Sequence, residues 1–290
     1  MPSLGRALFS SSFTEEARRT VWSVNENVIE PGDPADSWSA LVATLFETYP
    51  FSHGSVMFRE GHVRCTHIAH GWLMRCIRNT RACLLLRDAG LSVEAAPLRR
   101  STLEHATALA WLEDEGDAAV ETIWRGNVNY AEQQWDSVVG AGWSLPDEAF
   151  REVIEDRPTD ENRHLDQYLH FWQRNARYGS PDNLPVYRVE SSHTHPSWTS
   201  AAPYCRETND AAAVTLLAEP REAPLDEDAA GYVLLAPALV AFNQMLATHD
   251  MTDALRQILA RGRELQARGL AAQGKPRPPE FDDPILPDLP

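Results

Sequence analysis

Two groups of polar residues in this sequence have the types and the spacing to do chemistry. The first is Arg100-Ser101-x-x-Glu104-His105, in which an arginine precedes a glutamate by four residues. On a helix these two side chains are neighbours and form an ion pair. A guanidinium held by one carboxylate has donors left for the carboxylate or phosphate of a ligand. The alternative is a buried structural pair that fixes the helix register.

The second group is Tyr187-x3-Ser191-x3-His195-Pro196, with His193 beside it. At i, i+4 and i+8 the Tyr, Ser and His lie on one helix face, where two hydroxyls and an imidazole can form a hydrogen-bonded chain. Because the residue before a proline avoids the helical region, we expect His195 to leave the helix and point across its end. The alternative is a polar cap at the helix terminus without a catalytic role.

Together the two groups resemble a family of bacterial all-helical proteins of about this length that has no assigned activity. The likeness covers about residues 60 to 200, and the motifs are R-S-x-x-E and Y-x3-S-x3-H-P-S. The matching residues are Arg100, Ser101, Glu104, Tyr187, Ser191 and His195. The resemblance implies an all-helical fold and points to these residues as the site, but it implies no particular reaction.

A looser likeness is to the HEPN ribonucleases, whose signature is R-x4-6-H, because Arg100 and His105 fit R-x4-H. This likeness implies that an arginine and a histidine contact phosphate and transfer protons. On a regular helix, however, residues five apart are about 140° apart around the axis, so their side chains diverge. The motif also comes earlier in this chain than in that family. Under this alternative Arg100 acts together with either His105 or His195, which are the two candidate catalytic residues.

Metal and nucleotide chemistry have little support in the sequence. His67 and His70 are spaced to share a metal, with Glu104, His105 and the pair of His193 and His195 as further candidates, but no H-E-x-x-H motif is present. Phosphate loops, G-x-G-x-x-G turns and G-x-S-x-G elbows are also missing from the sequence. We therefore expect neither a metal nor a cofactor.

The elements that must position these residues are helices. Apolar residues lie on two sides of residues 92–113, which is typical of a central helix, and a second helix over about 63–89 precedes it with only a short turn between. We predict an all-α, multi-helix bundle built on this central antiparallel hairpin, with Ser92 as the N-cap and a kink at Pro97. Further helices are predicted over 37–49, 117–139, 146–155, 160–178, 184–192, 226–248 and 252–268. For residues 203–226 a short strand and a covering loop are both open.

Composition limits the partners. The net charge is 26 minus 42, or −16, which repels nucleic acid and anionic membranes, although seven arginines against two acidic residues in 62–101 make the central helices locally basic. Nucleic acid is expected only under the ribonuclease alternative. We expect a small anionic ligand or a carboxylate to bind in a buried polar pocket of the helical core, which is formed by Arg100, Glu104, Tyr187, Ser191 and His195. A homodimer is left open. The longest apolar run, 233–242, is half of what a membrane span needs.

The chain is predicted to form one helical domain over residues 37–270. Residues 1–36 form a peripheral N-terminal arm, and residues 271–290 form a Pro-rich, disordered tail. Only one of the 26 basic residues is lysine, as in proteins from GC-rich genomes, which suggests a bacterial source. With no leader sequence recognised, we expect a cytoplasmic binding or regulatory protein.

Overall fold

The computed structural model describes residues 37–49, 56–142, 158, 161–207, 214–217, 219–220, 226–248 and 251–272. These residues are mostly helical, with one two-stranded sheet, which confirms the all-α prediction. The predicted N-terminal arm, the predicted helix 146–155 and residues 273–290 lie outside the described residues. Residues 271 and 272, assigned above to the tail, belong to the last helix.

Four α-helices lie within residues 37–142. They are α1 (Trp38–Thr48), α2 (Thr66–Asp88), α3 (Ala96–Glu115) and α4 (Ala118–Gly140). A 3-10 helix then spans Arg163–Leu169, followed by α5 (Phe171–Tyr178), α6 (Asn183–Thr194), the single turn α7 (Trp198–Ala201) and a 3-10 turn (Ala202–Tyr204). Strands β1 (Cys205–Glu207) and β2 (Val214–Leu216) pair antiparallel, and α8 (Glu227–Met245) and α9 (Thr252–Ala272) follow.

Helix α3 lies at the centre and contacts α2, α5, α6 and α8. Helix α8 is as deeply placed: between Glu227 and Met245 only a few residues, such as Val233 and Pro237, reach the surface. A helix that is apolar on nearly every side has to be enclosed by other helices. The core between these helices is formed by fully buried side chains, among them Leu41, Leu45, Leu73, Cys76, Leu109, Leu112, Leu235, Leu239 and Phe242.

Helix α3 begins later than predicted. Ser92 is not its N-cap; residues 92–95 form turns, and the helix starts at Ala96. Pro97 therefore lies in the first turn, where its missing N–H has no helical partner to lose, so it starts the helix and causes no kink. At the other end Gly116, with φ +53°, turns the chain into α4, and a Cβ there would lie 2.3 Å from the Gly61 carbonyl oxygen.

A buried ionic cluster joins α3, α6 and α8. The Arg99 guanidinium is 2% exposed and donates to both carboxylate oxygens of Glu190, at 3.1 and 3.0 Å, and to Glu227 Oε1 at 2.6 Å. Burial lowers the Arg99 pKa, but the two carboxylates outweigh burial and raise it above its usual value. Burial also raises the pKa of Glu227, against the opposing effect of Arg99. This cluster was not among the residues predicted from the sequence.

None of the helices in the described parts of the chain combines the length and the apolarity that crossing a bilayer needs.

Candidate functional site

Arg100 is the centre of a polar network that joins α3 to α6. Its Nε donates to Glu104 Oε1 at 3.2 Å, its Nη2 donates to the Tyr187 hydroxyl at 2.9 Å, and its Nη1 lies 3.0 Å from His195 Nε2. The guanidinium also lies over the Tyr187 ring, 4.8 Å from its centroid. Four of the five predicted site residues therefore meet around one guanidinium.

The end of α6 explains how His195 reaches this network. The helix stops at Thr194, and His195 is extended, with φ −104° and ψ 153°, because Pro196 follows it. Its backbone N–H still closes the last turn on the Ser191 carbonyl at 3.2 Å. Ser191 itself is not part of the network: its hydroxyl donates to the Tyr187 carbonyl oxygen at 2.6 Å. Its role in the structure is local to the helix.

The pair of Arg100 and Glu104 is half-exposed rather than buried as predicted. The Arg100 side chain is 23% exposed and that of Glu104 is 32% exposed. An ion pair in such a position stabilises a protein by about 1 kcal/mol or less. The site is therefore a feature of the surface rather than a pocket in the core.

Beside this network lies a cleft of about 300 Å³. Its lining residues are Glu104, Leu169, His170, Phe171, Trp172, Arg174 and Tyr187. Of the residues predicted from the sequence, Glu104 and Tyr187 line the cleft, while Arg100 and His195 contact these two from its edge. One wall is aromatic, because Phe171 and Tyr187 stack with ring centroids 4.1 Å apart and an interplanar angle of 18°.

The N-terminus of α5 forms part of the cleft. His170 is extended and separates the 3-10 helix from α5, and no side chain caps the first turn that follows. The first N–H groups of a helix have no partner within the helix and carry the positive end of its dipole. An anion in the cleft would therefore meet free donors and a favourable field, as at other helix N-termini that bind anions.

Arg174 lies one turn into α5 and is 9% exposed. Its Nη1 donates to the Tyr168 carbonyl oxygen at 2.8 Å and its Nη2 to the Glu104 carbonyl oxygen at 3.3 Å. Its Nε is buried without a hydrogen-bond partner, and no carboxylate among the described residues forms an ion pair with it. Burial lowers the pKa of Arg174 to about 10, and the charge of Glu104 offsets only part of this effect.

The N-terminus of α5 and the Arg174 guanidinium both place positive charge at the same end of the helix. Side chains of a helix lean toward its N-terminus, so a guanidinium at the fourth helical position reaches back beside the first turn, which agrees with its contact to Tyr168. A buried cation without a counter-charge is costly, and the helix dipole at the same end adds to the positive potential. A bound carboxylate or phosphate would balance the charge of Arg174 and interact favourably with the helix dipole.

His105, the second member of the R-x4-H motif, lies elsewhere. Its Nδ1 is 2.6 Å from the Ser101 carbonyl oxygen on its own helix, and its ring meets the edge of Trp72 with centroids 6.4 Å apart. Burial lowers the pKa of His105 below its usual value. The described contacts of Arg100 go to His195 and not to His105.

Metal binding and nucleophilic catalysis find little support in the described residues. No group of three or more potential ligands is arranged to hold a metal ion there. His70 lies near the Tyr49 ring, with centroids 6.3 Å apart. Burial raises the pKa of the Cys65, Cys76 and Cys83 thiols, so these are not activated nucleophiles. The cleft therefore combines a buried guanidinium and a helix N-terminus with an imidazole at its edge.

Half of the cleft was not predictable from the sequence. The sequence predicts one continuous helix over 160–178, which would contain His170, Phe171, Trp172 and Arg174. In the structure this segment is divided at His170 into a 3-10 helix and the separate helix α5. Neither glycine nor proline marks this break. The available signal was Arg174 itself, an arginine three residues after Phe171 on the apolar face of a short helix.

Comparison of the chain with family models, with curated proteins and with solved structures gives no match.

Proposed function

We propose that this is a bacterial, cytoplasmic binding or regulatory protein that recognises a small anionic ligand in the cleft between α3, α5 and α6. The observation that carries the proposal is Arg174, a residue of the cleft lining that is 9% exposed, whose buried Nε has no hydrogen-bond partner and which forms no ion pair with a carboxylate of the described residues. The uncapped N-terminus of α5 lies at the same place.

The surrounding residues have defined parts in this proposal. Arg174 and the first turn of α5 bind the carboxylate or phosphate of the ligand. Glu104 and Tyr187 hold Arg100 at the edge of the cleft, where it supplies a second positive charge, and His195 closes that edge. Ser191 supports Tyr187 through the backbone. The scaffold is the central antiparallel hairpin of residues 63–113 within one domain of residues 37–270.

Thermal unfolding with simple anions tests the proposal. Acetate and inorganic phosphate, each compared with chloride at equal ionic strength, should raise the melting temperature of the wild-type protein, because a ligand that binds only the folded state stabilises it. Arg174→Gln should remove the response. Arg177→Gln is the matched control, since Arg177 lies on the same helix but is half-exposed and pairs with Asp114.

If Arg174→Gln does not fold, Arg100→Gln takes its place and should weaken the response. The proposal fails if neither anion stabilises the wild type, or if Arg174→Gln responds as strongly as Arg177→Gln.

A second candidate is a HEPN-like ribonuclease of a defence or toxin system. The contact between Arg100 Nη1 and His195 Nε2 favours it, because it joins a phosphate-binding group to a group that can transfer protons. Expression should then slow growth and cleave cellular RNA, and Arg100→Ala or His195→Ala should relieve both effects, whereas His105→Asn should not. A wild-type protein that leaves RNA and growth unaffected at high expression would rule this candidate out.

A further inference from the structure

The walls of the cleft carry information about the ligand beyond its charge. Four of its seven lining residues are aromatic or imidazole rings, and Leu169 adds an aliphatic surface. The exposed lining of the cleft is nevertheless more polar than apolar, so polar groups would fix the charged end of a ligand and the rings would contact its other end. Here the polar end is at Arg174 and the first turn of α5, and the aromatic wall lies next to it.

Trp172 is the most exposed of the three aromatic residues in this wall. Its side chain is 63% exposed, although it lines the cleft and follows directly on the buried Phe171. Tyr187 differs, because Phe171 stacks on it and the Arg100 guanidinium lies over its ring. A large indole that lines an anion site and remains open to solvent offers a flat face to a ring of the ligand.

The volume agrees with a ligand of this kind. About 300 Å³ is at the lower end of the range for small-molecule sites. A single aromatic ring with one acidic group fits such a space. The anionic group would meet Arg174, and its ring would lie along Trp172.

We infer that the ligand is a small aromatic acid, a single flat ring that bears a carboxylate or a phosphate, and that Trp172 selects for the ring. This inference rests on the proposed function, since Arg174 must bind the acidic group. Flatness is the property that separates it from a general preference for apolar ligands, because an aromatic ring stacks closely on an indole, whereas a saturated, puckered ring lacks the π system and makes a looser contact.

The experiment compares benzoate with cyclohexanecarboxylate, which has the same charge and a similar size but a puckered ring, by titration calorimetry on the full chain. Benzoate should bind the wild type about three- to tenfold more tightly, as expected from one aromatic stacking contact. Trp172→Leu should bring the two affinities together, and Trp172→Phe should keep most of the preference. Trp172 is exposed, so both variants should fold.

The outcomes separate this inference from the proposed function. Equal affinity of the wild type for both acids overturns the aromatic preference and leaves anion binding in place. A preference for benzoate that Trp172→Leu retains overturns the role of Trp172. If neither acid binds while acetate or inorganic phosphate still stabilises the protein, this inference is wrong and the proposed function stands; if those anions also have no effect, both are wrong.

Discussion

Two buried arginines in this protein have opposite surroundings. Arg99 lies in the core between Glu190 and Glu227, so its charge is more than balanced. Arg174 is nearly as buried, yet it meets only backbone carbonyl oxygens and leaves Nε without a partner. A buried charge that is paired within the protein has no need of a ligand, whereas an unpaired buried charge beside a cleft is suited to binding one. Burial alone therefore does not identify a functional arginine; its partners do.

The same contrast appears between neighbours on α3. Arg99 and Arg100 are adjacent in sequence, but a rotation of about 100° per residue sends one into the core and the other to the edge of the cleft. Arg99 holds three helices together, while Arg100 is half-exposed and contacts a tyrosine and a histidine.

Replacing Arg99 with methionine should destabilise the protein by about 3–5 kcal/mol, because Glu190 and Glu227 would be left buried without a counter-charge. Urea denaturation at neutral pH measures this change. Arg100→Met is the matched control on the next residue. A loss below about 1 kcal/mol for Arg99→Met would show that the buried cluster does not hold the core.

Glu227→Gln should change how stability depends on pH. Burial raises the pKa of Glu227 in the folded state, so the folded protein binds its proton more tightly than the unfolded chain does. Stability from this group is complete below the ordinary glutamate pKa and is lost as the pH rises through the raised value. The difference in unfolding free energy between variant and wild type should therefore grow from about pH 4.5 upward. A constant difference across this range would mean that Glu227 ionises normally.

Arg174→Met should change the unfolding free energy by only about 1 kcal/mol, because the lost hydrogen bonds to Tyr168 and Glu104 are offset by removing an unbalanced buried charge. Urea denaturation of this variant beside Arg99→Met makes the comparison direct. A loss of several kcal/mol would make Arg174 a structural residue like Arg99.

Arg100→Gln should have the smallest effect on stability, about 0.5 kcal/mol, since its ion pair with Glu104 is half-exposed. The same denaturation experiment measures it. A double variant with Glu104→Gln should cost little more, because each residue loses a partner that water can replace. A large loss in either variant would mean that the Arg100 network fixes the packing of α6 on α3.

The Arg100 network was predictable from helix spacing and from the effect of a proline on the residue before it. The spacing of Arg100 and Glu104 placed them together, and Pro196 placed His195 at the end of α6. The contact across to α6 could be proposed because Tyr187 and His195 share its face, but Ser191 also shares that face and bonds to its own backbone instead. A helix face limits which residues can meet and does not decide which of them do.

The Arg174 half of the cleft depends on a helix break that no local signal marks. His170 separates a 3-10 helix from α5 without glycine or proline, so periodicity alone predicts one helix there. The Arg99 cluster is beyond local rules for a different reason, since its partners are 91 and 128 residues away in the chain. The helices themselves were predictable because each carries an apolar face, although Pro97 and not Ser92 marks the start of α3.

The most direct test follows the two buried guanidinium groups in one spectrum. Their Nε–H groups exchange slowly enough to be observed by nitrogen-15 NMR, and Arg174→Met identifies the Arg174 resonance by its loss. On titration with benzoate or inorganic phosphate, the Arg174 resonance should move and saturate while that of Arg99, held between Glu190 and Glu227, stays in place. An Arg174 resonance that does not move, or that moves no more than that of Arg99, would contradict the assignment of the cleft as an anion site.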